Sequence, residues 1–357
     1  RMSILYSLST GFRENPSKDD PYTNRREELF YRGKVKWSPS SNINLTLSGI
    51  LSNQDNGCDV WSPDNDKNLI VLSDEPGKDS QRTTAFSLKT VANNISIFDI
   101  IHIASYSNHD IETTFDGDWA DDSYWSDNYN FDPSEEGYRW SFLEKSYRGR
   151  KTFTNEVRLM NKNKLARKTS YTIGVYTKNM TETDSAKGFL MGGDISDLEA
   201  EFTHFNIAGY AELSHRFSDK IKFDTNIRIE KMTIEYNGYT LGEDADYMPF
   251  ENSFQENVND FLVGIKSSLS YKNNFGDIFF LSLSRGYKPG GINQHPTISS
   301  NKRFYDSEYN LNLELGYKVF KDNFNHAITL FNMKRENQQV LHSVQSANNP
   351  IAYSYFT

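Results

Sequence analysis

The 357-residue chain has little of what most functional readings require. It carries one cysteine, Cys58. A lone thiol closes no internal disulfide, so cysteine usage does not report the compartment, and an incidental loop residue is the plain reading. No run approaches the ~18 consecutive apolar residues of a membrane helix, and mean hydropathy is −0.70. A helical membrane protein is thereby excluded. A transmembrane barrel is not, because its strands show lipid only at every second residue. Basic charge is also short: 39 Lys and Arg stand against 48 Asp and Glu, a formal net charge of −9. That balance argues against nucleic acid as a partner. Arg1 to Thr10 has no apolar core of a signal peptide and already reads as a strand. No segment has a convincing helical period.

Catalytic constellations are lacking too. His102, His109, His204, His215, His295, His326 and His342 are scattered, with no metal-ligand spacing. Gly290-Gly291 follow a proline and precede no helix, so they form no phosphate loop. A nucleophile elbow is missing. The expectation is a protein that is not an enzyme, with no intrinsic cofactor and no bound metal.

What the sequence does have is alternation. In Ile278 to Ser284, Phe279, Leu281 and Leu283 share one side, and Phe280, Ser282 and Ser284 the other. The pattern stops at Arg285, Gly286, Tyr287, Lys288, Pro289, Gly290 and Gly291, where Pro lacks an N–H to donate and Gly favours a bend. Elsewhere Leu29, Tyr31, Gly33, Val35 and Trp37 oppose Phe30, Arg32, Lys34 and Lys36. Ile221, Phe223, Ile227 and Ile229 oppose Lys222, Asp224, Asn226, Arg228 and Glu230. Leu311, Leu313, Leu315 and Tyr317 oppose Asn312, Glu314, Gly316 and Lys318. Ile95 to Tyr106 is apolar on both sides and its faces cannot be assigned. The pattern predicts roughly 13 to 14 strands of about ten residues, a length that suits a tilted strand crossing a bilayer.

The connections alternate between short and long. Short turns fall at Ser38, Asn93, Asn161, Ser218, Lys272 and Lys321. Long loops are expected at Asn15–Arg26, Ser52 to about Arg82, Ser107 to about Ser146, around Gly192-Gly193, and from about Thr233 to Asn257. Outer-membrane barrels behave in this way, whereas a β-sandwich mixes loop lengths at both ends. Trp37, Phe217, Tyr271, Tyr317 and Phe320 gather near the short turns, as an interfacial girdle would.

The stretch S-R-G-Y-K-P-G-G-I-N, Ser284 to Asn293, resembles the barrel motif of TonB-dependent outer-membrane receptors. Tyr309–Val319, Phe331–Val340, Phe153–Leu159 and His215–Glu230 are similar to other strands of that family. The resemblance implies an all-β fold: an antiparallel transmembrane β-barrel, here a single partial domain over 1–357 with about 13–14 strands of a barrel of about 22. The family's plug, its TonB-contact segment and its closing strands have no counterpart in the sequence. It further implies uptake of a scarce small-molecule ligand, typically an iron chelate such as a ferric siderophore, across the outer membrane of a Gram-negative bacterium. The partners would be the lipid bilayer and, through an N-terminal part of the parent protein, the TonB complex. The motif Arg285–Gly291 would act structurally at the outer rim, and the lumen charges Arg32, Lys34, Glu212, Arg228 and Glu314 would pack against a plug through polar pairs or else line water.

The richest loop is acidic and aromatic, Asp116 to Asp132. Its Asp118, Trp119, Asp121, Asp122, Tyr124 and Trp125 are the candidate ligand contacts, alongside Asp116, Asp127 and Tyr129. Carboxylates suit a hard cation and rings suit a sugar or an aromatic chelate. The spacing matches no EF-hand, and a solvated outer loop explains each residue singly. A passive barrel channel and a secreted glycan-binding β-sandwich remain the alternatives.

Overall fold

The computed structural model describes residues 1–64, 67–75, 77–130, 142–161, 168–190, 195–243, 248–294, 298, 300–321, 323–345 and 352–357. Thirteen strands form one antiparallel sheet in which each strand pairs with the next in sequence. They are β1 Met2–Ser9, β2 Arg26–Ser40, β3 Ile43–Asn56, β4 Lys78–Ile95, β5 Phe98–Asp116, β6 Leu143–Asn161 and β7 Thr169–Leu190. β8 Ile195–Arg216, β9 Ile221–Glu243, β10 Pro249–Lys272, β11 Ile278–Lys288, β12 Glu308–Phe320 and β13 Asn325–Glu336 complete it. β1 and β13 are its two edges, so the described sheet is an unclosed barrel wall.

One face of this sheet is apolar and uncovered. Val35 is 62%, Leu281 and Leu283 each 48%, and Leu330 67% exposed. A sandwich would bury these residues against a second sheet. In water they would form a continuous apolar patch far beyond the few hundred Å² that soluble monomers tolerate. The opposite face is polar and is the inner one. Short connections join β2–β3, β4–β5, β8–β9, β10–β11 and β12–β13 at one end, the short-turn end. There Tyr271, Phe279 and Tyr317 are cross-strand partners in an outward aromatic row, with centroids 6.4 and 4.5 Å apart. A second outward row, Phe86–Tyr106–Phe153, crosses β4 to β6 higher up. Amphipathic rings in two such rows mark the two edges of an apolar band.

The strands do not stop at the upper row. β7 to β10 run 22 to 24 residues, and along them the two faces exchange polarity. On β9 the outward positions are Ile221, Phe223, Thr225, Ile227 and Ile229, and then Lys231, Thr233, Glu235 and Asn237. The inward positions are Lys222, Asp224, Asn226, Arg228 and Glu230, and then Met232, Ile234 and Tyr236, which are buried. β8 changes in the same way: outward Leu213, Ile207 and Phe205 give way to Thr203, Glu201 and Glu199, while inward Glu212 and Tyr210 give way to Phe202 and Leu198. The side-chain period stays at two, so the chain has not slipped. Only the medium outside has changed. Nine residues at ~3.4 Å each, tilted by about 40°, rise roughly 20–25 Å, close to the ~25 Å apolar band of such barrels. Above it stands a collar with a greasy interior and a wet exterior.

This collar corrects several expectations. Residues 176–190, 195–204 and 233–243 are strand, and only 191–194 and 244–248 separate the paired strands at the tall end. The strict alternation of short and long connections therefore fails at two places. Strands are also longer than the ten residues expected. A reading that follows one apolar face ends at Ile229, because there the apolar residues move to the other face. The loop 107–146 is likewise strand to Asp116 and again from Leu143, and it contains a short helix, α1 Asp122–Tyr129, that no helical period announced. β5 has assignable sides: Ile100, His102, Ala104 and Tyr106 share the outward face of Val157 and Phe153, and Ile101 and Ile103 face inward beside Arg158 and Glu156. β11 continues past Arg285 to Lys288, paired only with β12 there. Gly192-Gly193, Asp132 and His295 lie outside the described residues.

Candidate functional site

Three segments at the tall end interlock through residues 10–25, 57–64 with 67–75, and 117–130. Glu14 and Ile70 form a parallel bridge, with Glu14 N–H donating to Leu69 O at 3.1 Å and Val71 N–H to Glu14 O at 2.9 Å. Buried Asn15 donates from Nδ2 to Ser73 O at 2.8 Å. Ser17 donates to Asp121, and the Tyr124 hydroxyl donates to Asp64 Oδ1 at 2.8 Å. Val71 and Ala120 are the buried apolar centres of this cap.

α1 forms because Asp121 caps it, accepting from Tyr124 N–H at 2.8 Å, and Asn130 ends it in the left-handed region with φ 53°. Its rings pack on each other: Tyr124 on Trp125 at 5.3 Å and Trp125 on Tyr129 at 5.2 Å. Trp119 sits at φ 69°, a region a bulky residue rarely adopts. Its ring stacks on Trp61 at 5.9 Å and 22°, and both indoles are exposed. Strain of that kind persists only where neighbours over-determine it. Here the Asp121 cap on one side and the Asp116–Asp118 contacts on the other fix the turn.

Asp74, Asp116 and Asp118 each bring a carboxylate oxygen within 4.8 Å of the others. Asp116 accepts backbone N–H groups of Asp74 at 3.2 Å and Asp118 at 3.3 Å. Burial, with the Asp116 carboxylate beside it, pushes the Asp118 carboxyl up to about 8. Burial and the same neighbour push Asp74 up to about 6. Such a trio is satisfied either by a shared proton or by a hard cation.

The structure thus divides the six candidate contacts. Asp118 joins the carboxylate cluster, and Trp119 presents an exposed ring. Asp121 and Tyr124 are committed to the cap and to Asp64. Asp122 is exposed on the first turn of α1 and not one of the trio, though its charge helps raise the Asp74 carboxyl, and Trp125 packs within the ring group. Trp61, Asp64 and Asp74 were missed, because they lie about 45 to 60 residues upstream and no sequence spacing links them to Asp118.

Below the collar, the inner wall carries a repeated arrangement. The Tyr210 ring on β8 lies across Gly174 on β7 and donates its hydroxyl to Glu156 on β6. The Tyr287 ring on β11 lies across Gly264 on β10 and donates to Glu230 Oε2 on β9 at 2.7 Å. Each glutamate is also held by an arginine two residues away, Arg158 at 2.6 Å and Arg228 at 2.9 Å. A Cβ on Gly174 would stand 2.2 Å from the Tyr210 ring, so glycine is what lets the tyrosine cross. Beside these pairs is a cavity of about 700 Å³, lined by Arg158, Arg228, Lys266 and Arg285 against Glu156 and Glu212. Arg285 of the motif donates to Val263 O at 2.6 Å and lies 3.9 Å over the Tyr309 ring. Lys288 is exposed.

A strand meander with a lipid-facing band, a polar inner wall and a loop-capped collar defines an outer-membrane-type barrel. The family description "TonB dependent receptor-like, beta-barrel" matches residues 11–357, and the chain belongs to that family. No curated protein matches the sequence. Among solved structures, it is similar to the ferric yersiniabactin uptake receptor FyuA of Yersinia pestis, with a TM-score of 0.74 and 15% identity over 95% of this chain and 50% of that one. It is also similar to the copper transporter OprC, with a TM-score of 0.68 and 10% identity over 100% and 51%. For the siderophore receptor PiuA of Acinetobacter baumannii the values are 0.63 and 15% over 97% and 54%. The chain spans about half the length of these structures.

Proposed function

We propose that the chain is part of the barrel wall of an outer-membrane receptor that takes up a scarce ligand by TonB-dependent transport in a Gram-negative bacterium. The short-turn end faces the periplasm and the collar faces outward. The observation that carries this reading is the exchange of polarity between Glu230 and Lys231, which separates a bilayer-embedded band from a water-bathed mouth. Exposed Trp61 and Trp119 supply flat apolar surface at that mouth. The inner cavity, with four basic lining residues against two acidic ones, favours an anionic cargo. A ferric siderophore, flat in parts and anionic, fits both features best. The neighbours described as siderophore receptors support that choice.

The test uses the whole parent protein in a strain lacking its own siderophore receptors. On iron-limited medium, at least one anionic ferric chelate should restore growth, and only when TonB is present. Growth on no chelate of a broad panel, or equal growth without TonB, would overturn the proposal.

A further inference from the structure

The segment that follows the motif does not stand free in the outer loops. Its described arms, 289–294 and 300–307, lie against the inner face of the collar. Ile292 is buried among Met232, Ile234 and Tyr236 of β9, and Phe254 and Val258 of β10 pack on that group. At the base of the arms, Asp260 Oδ2 on β10 accepts Gly290 N–H at 3.0 Å and also the Ser307 hydroxyl. Ser307 Oγ in turn accepts Gly290 N–H at 3.0 Å, which ties one arm to the other. Higher up, Arg303 is buried with its guanidinium 4.2 Å over the Phe254 ring, donating to Ile298 O at 3.2 Å. Asn293 and Arg303 join the arms again, N–H to carbonyl, at 2.8 Å.

We infer that these arms are a fixed inner lining of the outer mouth, clasped by Asp260, and that they set the size of solute able to reach the lumen. The inference rests on the transport reading given above. A layer of chain laid on a sheet takes up roughly 10 Å, which is a large part of the bore of any mouth. Burial argues for a fixed lining: Ile292, Asn293, Ile298, Arg303 and Ser307 are all buried. The motif's glycines now have a physical reason. A Cβ at Gly290 would stand 2.5 Å from Tyr305 O, and one at Gly291 would stand 2.2 Å from the Tyr305 hydroxyl. Only glycine lets the outgoing arm lie this close to the returning one. Pro289 O is held as well, accepting from Gln339 Nε2 at 2.7 Å.

The test uses the whole receptor in its own membrane, with Cys58→Ser and with any thiol elsewhere in the parent protein replaced by serine. Ile292→Cys reports the docking of the arm. Lys178→Cys, on the inner face of β7, reports passage through the mouth. With the clasp intact, a small membrane-impermeant maleimide should label position 292 at least tenfold more slowly than the exposed control Lys288→Cys. At position 178, a maleimide carried on a chain of several kilodaltons should react far more slowly than the small one. Asp260→Ala should raise the rate at 292 tenfold or more and raise the large-to-small ratio at 178 by a similar factor. If that variant fails to fold, shown by loss of the heat-modifiable gel shift, Ser307→Ala should move both readouts the same way by about threefold. Labelling at 292 as fast as at 288 with the clasp intact would overturn the lining. An unchanged ratio at 178 after release would overturn its role in sizing. Neither readout needs a ligand, so failure of the growth test would leave these outcomes standing, and the reverse also holds.

Discussion

The lower and upper halves of β7 to β10 are built from the same strands, in one register, with opposite polarity. Below Glu230 the apolar side chains point out, and above Lys231 they point in. The backbone is continuous across the change. The comparison shows that an alternating strand does not by itself say which of its faces is buried. The solvent around it decides. Hydrocarbon accepts Ile227 and Ile229 on the outside, and water above it rewards burying Met232, Ile234 and Tyr236 inside at about 25 cal/mol per Å² of apolar area.

The sharpest way to break the comparison is to put one charge on the outer face of each half. Thr225→Arg places a cation at the middle of the lipid band and should cost about 2–4 kcal/mol. Glu235→Arg, ten residues up on the same face, should stay within about 0.5 kcal/mol. Urea unfolding of the whole protein in lipid vesicles reads both. Equal costs would remove the boundary.

A smaller effect tests the inner wall. Gly174→Ala forces a Cβ onto the Tyr210 ring, and overpacking of that kind costs about 1–3 kcal/mol. Combining it with Tyr210→Ala should recover most of the loss, because the obstructed ring is gone. Additive losses in the double variant would mean that Gly174 matters for another reason.

The smallest effect separates the collar from its cap. Asp118 and Asp74 are held above the ordinary carboxylate range, at about 8 and about 6. Raised carboxyls favour the folded state while they are protonated. Their contribution is therefore full below pH ~4 and is lost as pH rises, Asp74 first through about 6 and then Asp118 through about 8. The Trp61–Trp119 stack, read by tryptophan fluorescence, should loosen across that window in wild type and lose the step through about 8 in Asp118→Asn. A cap that tightens as pH rises would reverse the sign and favour a bound cation at the trio.

Legibility followed the same boundary. Leu281, Leu283, Leu311, Leu313 and Leu315 were readable as one outward stripe because lipid demands it over the full width of the band. Thr233 to Tyr236 read as loop, since Lys231, Thr233 and Glu235 broke the stripe on the face being followed. Of the candidate ligand contacts, Asp118 and Trp119 were visible in a loop of unusual composition. Their partners Asp74 and Trp61 were not, because loop-to-loop packing leaves no period in the chain.

The sequence by itself determined the two-residue alternation, the hairpin order and the motif at Arg285–Gly291, since strand period and turn chemistry are local properties of the backbone. Tertiary structure alone decided where the polarity reverses, that Tyr210 and Tyr287 cross glycines to reach glutamates, and that the residues after Gly291 fold inward. Those outcomes depend on which distant side chains share a surface and on the medium that surface meets.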